Sequence, residues 1–255
     1  FSPTGILLWN KSLESSVVDP SNEYVEIKNI ILDANDDLVI QMEFKGLLSI
    51  DNISITADSP VDEYSDTGII HLEKTGNCDW AIRMGGDKHD GALRLATFGN
   101  AIYFVAQTQA SDYFVIGNSN YTTTTSIESY YVGMINMTTG HVIWSANVEG
   151  VNGSAYYAPN LILDSQGNSY LWGNANDLLY VNSNQIGSGS YVLKFSPTGV
   201  LLWNKSLESS GVSNSNQYVE IKNIILDAND DLVIQMRFHG TLSLDNISIT
   251  ADSSV

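Results

Sequence analysis

An all-β fold is predicted by three observations on this 255-residue sequence. No stretch sustains an apolar i, i+3, i+4, i+7 pattern, so no amphipathic helix is expected. β-branched and aromatic residues dominate the periodic segments, which suits a pleated surface. Short apolar runs such as NIIL and LVI alternate with Gly, Asn, Asp and Ser clusters that accept turn conformations.

The order of the elements follows from a repeat. Residues 1–61 return as residues 195–255 with ten differences, among them Ile6/Val200, Glu43/Arg237, Lys45/His239 and Leu47/Thr241. YVEIKNIILDANDDLVIQM recurs unchanged from Tyr24 and from Tyr218. Within this 194-residue period a shorter pattern, Thr-Gly-x-x-x-Trp, ends at Trp9, Trp80, Trp144 and Trp203. Each Trp is followed by an apolar run, a turn and another apolar run, as in IILDANDDLVI, LRLATFGNAIYF and LILDSQGNSYLW. A third strand-like piece comes next, and a fourth precedes the following Thr-Gly. Four short strands per unit, repeated radially, form the pattern of a β-propeller blade. The expected division is therefore residues 1–71, 72–135 and 136–194 as three blades, with 195–255 opening the next unit of a longer tandem array. Gly after Thr permits a tight turn, and the Trp fills a gap between blades. Trp172, outside the repeated motif, is expected at an exposed or inter-module contact.

Composition removes several function classes. The formal charge is −18, from 11 Lys+Arg and 29 Asp+Glu. Sequence-independent nucleic-acid binding and attachment to anionic lipid both need the opposite balance. No segment reaches the roughly 18 apolar residues of a membrane span. One cysteine, Cys78, excludes an intrachain disulfide framework. His71, His89, His141 and His239 form no metal-spaced pair, and neither a phosphate loop nor a Gly-x-Ser-x-Gly elbow occurs. The chain is not expected to be an enzyme.

Two kinds of candidate site remain. Asp33-x-Asn35-x-Asp37, copied as Asp227-x-Asn229-x-Asp231, alternates oxygen side chains as calcium loops do. Leu38 and Phe44 stand where such a loop has Gly and Glu, so the competing reading is an ordinary strand-connecting turn. Calcium is thus the single candidate cofactor. Sequons occur at Asn10, Asn52, Asn120, Asn136, Asn152, Asn204 and Asn246 and are candidates for N-glycosylation in a secreted protein.

INMTTGHVIWSANV and YVLKFSPTGVLLWNKSL resemble the blade motif of the PQQ-type quinoprotein propellers and their non-enzymatic relatives. LILDSQGNSYLWG and SYVLKFSPTG are similar to the SBBP-type propeller repeats of secreted microbial proteins. The resemblance covers essentially the whole chain and implies tandem blades with Trp9, Trp80, Trp144 and Trp203 docked between neighbours. Three functions are weighed. The first is an extracellular structural repeat protein forming a filament, stalk or adhesin shaft at the cell surface, whose partners are copies of itself or adjacent modules. The second is a secreted propeller binding glycan or protein through exposed Tyr130, Tyr131, Tyr156 and Tyr157. The third, a quinoprotein dehydrogenase, rests on the resemblance alone.

Overall fold

The computed structural model describes residues 2–16, 24–58, 64–88, 90–108, 113–122, 129–150, 159–210 and 218–252. Every regular element among them is a β-strand, and all resolved pairings are antiparallel. The chain divides into two compact units, Phe1–Ser126 with Gly133–Ile143, and Ile127–Val132 with Trp144–Val255.

The first unit contains β1 (Glu14–Ser16), β2 (Val25–Leu32), β3 (Leu38–Phe44), β4 (Leu47–Ile50), β5 (Ile53–Thr56), β6 (Asp66–Leu72) and β7 (Cys78–Gly86). β8 (Gly91–Phe98), β9 (Ala101–Thr108), β10 (Tyr113–Ile116) and β11 (Ser119–Thr122) follow. β2, β3, β6 and β7 lie side by side in that order, while the β4–β5 hairpin, which falls between β3 and β6 in the chain, joins β1 in a separate three-stranded sheet. The inner positions of this meander are apolar. Ile40, Met42, Phe44, Ile70 and Leu72 pack with Leu48 and Ile50 of the inserted hairpin, and Trp9 leans on the same cluster. Removing such side chains from water is the main source of stability in a sheet that has no helix to cover it.

β12 (Ser129–Asn136) and β13 (Val142–Gly150) contribute residues to both units. Strand order β8-β9-β12-β13 repeats the meander, and the β10–β11 hairpin, which falls between β9 and β12 in the chain, pairs with β7 and makes the first sheet six-stranded. The second unit continues with β14 (Asn160–Leu163), β15 (Ser169–Val181), β16 (Asn184–Phe195) and β17 (Leu201–Leu207), paired in that order; β15 also pairs with β13, so these strands extend one eight-stranded sheet and do not close off a separate blade. β18 (Ser209–Ser210), β19 (Tyr218–Leu226), β20 (Leu232–His239), β21 (Thr241–Leu244) and β22 (Ile247–Thr250) complete the chain.

The near-identical copies differ in what covers them. Val39 on β3 is fully buried, whereas its copy Val233 on β20 is 54% exposed. Among the described residues β3 is flanked by β2 and β6, and β20 pairs with β19.

The exposed alternative for Trp172 is corrected: it sits in the middle of β15, paired to Asn160 on one side and Val192 on the other, and is 5% exposed. Its apolar cluster joins Tyr170 and Val192 to Leu207, Ile221, Ile224 and Leu242 of the 195–255 segment, so the ring packs where one repeat meets the next. Tyr130 and Tyr131 are likewise buried in β12, so neither offers a ring to solvent.

Candidate functional site

The Thr-Gly turns connect the third and fourth strands of the meanders. Glu73–Asn77 joins β6 to β7, Asn136–His141 joins β12 to β13, and Ser196–Val200 joins β16 to β17. Their glycines hold φ of +92°, +68° and +80°, the left-handed region where a side chain is strained. Each glycine faces the tryptophan of the preceding motif. A Cβ on Gly76 would meet Trp9 at 2.8 Å, one on Gly140 would meet Trp80 at 2.8 Å, and one on Gly199 would meet Trp144 at 2.6 Å. The indole N–H of each ring donates to a carbonyl of the same turn: Trp9 to Lys74 (2.9 Å), Trp80 to Met137 (2.7 Å) and Trp144 to Pro197 (3.0 Å). The motif is thus a reciprocal clamp in which the ring covers a bare backbone and the turn satisfies the ring's one donor. Trp203 packs edge-on against Tyr170, 5.9 Å between centroids, and Gly5 at φ +81° has open space where the other turns have a ring.

The acidic loop is first of all a well-made turn. Asp33 Oδ1 accepts the backbone N–H of Asn35 and of Asp37, both at 2.8 Å, which lets Asp36 take φ +64° between β2 and β3. Asp227 does the same for Asn229 and Asp231 in the second copy, at 2.8 and 2.9 Å. Asp164 caps the β14–β15 turn identically through Gln166 and Asn168. Asn35 is exposed and its side-chain amide donates to Asp33 Oδ2 at 3.3 Å. Asp33 and Asp37 are instead brought together with a residue that sequence spacing did not connect to them, His71 of β6, the three donor atoms lying within 4.8 Å of one another. Asp227, Asn229 and Asp231 are exposed, with no histidine beside them among the described residues. The signal that would have found His71 is strand register: it pairs with Val39, six residues past Asp33.

A third polar cluster is buried in the first unit. Asp66, fully inaccessible, takes an ion pair from Arg83 at 3.0 Å and a hydrogen bond from the Asp58 backbone at 3.0 Å. Arg83 also reaches Asp58, which accepts the Tyr113 hydroxyl proton. Burial pushes the Asp66 carboxyl up to about 7, against the pull of Arg83 and the Asp58 amide. The Cys78 thiol, half-buried beside Asp51, is pushed up to about 11 by burial first and by that carboxylate second, so it is held as an unreactive thiol.

The sequons fall on different surfaces. Asn10, Asn52, Asn120, Asn204 and Asn246 are exposed, Asn52 and Asn246 at the tips of the β4–β5 and β21–β22 hairpins. Asn136 is half-buried, and its carbonyl oxygen accepts the backbone N–H of Thr138 and Thr139, both at 3.0 Å. Asn152, Tyr156 and Tyr157 lie outside the described residues. No family model matches this chain, and no curated protein shows a significant similarity to it.

Proposed function

We propose that this chain is a structural repeat protein of the cell exterior, whose four-stranded meanders act as propeller-type blades in the shaft of a filament, stalk or adhesin. The observation that carries the reading is the tryptophan clamp. Three successive motifs use the same ring, the same glycine and the same N–H to carbonyl bond to tie one repeat to the next. A repeat protein whose stability resides in nearest-neighbour interfaces needs those interfaces to be equivalent, and near-identity of residues 1–61 with 195–255 supplies that. The charge of −18 would keep such an array soluble.

Electron microscopy of the native material tests the proposal. Filaments or stalks with a regular axial repeat are expected. Isolated globular particles without fibres would overturn it.

A further inference from the structure

His71 is 5% exposed, and its Nε2 has no hydrogen-bond partner although it points toward two carboxylates. Nε2 stands 3.9 Å from Asp33 Oδ2, too far for a hydrogen bond. The other ring nitrogen, Nδ1, lies 3.2 Å from Asp79 Oδ2. A carboxylate on Nδ1 holds the proton there and leaves Nε2 as a lone-pair donor, the arrangement that orients a metal-binding imidazole. The ring is fixed from the side by stacking on Trp80, 5.5 Å between centroids and 13° between planes.

The second unit shows what this place in the fold is suited to hold. Lys194 occupies the position of His71: it pairs with Tyr170, six residues past Asp164, just as His71 pairs with Val39, six past Asp33. Lys194 puts its ammonium 3.1 Å from Asp164 Oδ2. One repeat therefore fills the space beside the turn carboxylate with a built-in cation. In the other, the imidazole stops short, and a second carboxylate, Asp37, replaces Asn168. Asp37 keeps one oxygen on the Lys74 backbone N–H at 2.7 Å, and the Lys74 ammonium is turned to the Asn35 carbonyl at 3.4 Å.

We propose that Asp33, Asp37 and His71 bind a divalent transition-metal ion, with Asp79 positioning the imidazole. An imidazole with two carboxylates favours zinc and its first-row neighbours, whereas calcium takes oxygen ligands throughout. Ligands about 2.1 Å from a tetrahedral ion stand roughly 3.4 Å apart, so the 4.8 Å span closes by modest side-chain rotation. The site goes beyond the scaffold reading and does not depend on it.

The test is calorimetric titration of the chelator-treated 255-residue chain with Zn²⁺, alongside Trp fluorescence and thermal unfolding. One ion per chain is expected, with a rise in Tm and a change in emission from Trp80, whose ring lies on His71. His71→Lys installs the residue that the other repeat already tolerates; it is expected to keep the fold and to weaken Zn²⁺ binding at least 100-fold. Binding unchanged in that variant, two equivalent ions per chain, tighter binding of Ca²⁺ than of Zn²⁺, or no effect of millimolar Zn²⁺ on Tm would each overturn the proposal.

Discussion

Gly140→Ala tests the tryptophan clamp, and Gly5→Ala is its internal control. Both glycines have positive φ, +68° and +81°, and both belong to the first unit. Alanine in that conformation costs about 1 kcal/mol at either position. At Gly5 nothing else changes, because no atom lies within 4 Å of the added methyl. At Gly140 the methyl would fall 2.8 Å from Trp80 Cδ2 and 2.9 Å from Cε3, roughly 0.8 Å inside a comfortable carbon–carbon contact. Trp80 cannot retreat freely: it is 8% exposed, bonded to the Met137 carbonyl and stacked on His71. Forced repacking adds about 1–3 kcal/mol, and a broken indole hydrogen bond adds about 1 kcal/mol. Gly140→Ala is therefore expected to cost about 3 kcal/mol or more, against about 1 kcal/mol for Gly5→Ala. Urea unfolding followed by circular dichroism measures both. Equal losses would refute the clamp as the source of the motif's conservation of form across the three repeats.

Three further substitutions probe the carboxylates. Asp66 has its proton held to about 7 in the fold, above the ordinary 3.8, so the folded state binds more protons than the unfolded state between those values. Stability is expected to fall as pH rises from about 4 to 7, by up to about 4 kcal/mol at 1.4 kcal/mol per unit, and Asp66→Asn should flatten that slope. Parallel stability–pH curves for the two proteins would show that Asp66 is not responsible. Asp164→Ala removes the acceptor of two backbone amides and strands the Lys194 ammonium, and is expected to cost about 3 kcal/mol. The same change at exposed Asp227, whose carboxyl is held low by the Asp231 and Asn229 amides, is expected to cost less; a larger loss there in thermal unfolding would contradict the role given to Lys194.

Much of this architecture is legible in the chain because it is local. The turns at Asp33, Asp164 and Asp227 depend on an Asx side chain reaching amides two and four residues on, so their residues announce them. The β-branched runs around them announce the strands, and the spacing of Trp9, Trp80, Trp144 and Trp203 announces a repeated contact. Which turn each ring covers depends on residues some 55–67 positions away, and no local pattern encodes that distance. His71 was hidden for the same reason: it meets Asp33 and Asp37 only through the β3–β6 register.

Strand character, the internal repeat and the chemistry of the turns are legible in the residues alone, because they rest on side-chain shape and on hydrogen bonds within five residues. Burial is set by tertiary placement. Trp172, Tyr130 and Tyr131 carry no local signal of burial, yet all three are sealed, since a strand's faces are closed only by the strands that pair beside it and pack against it.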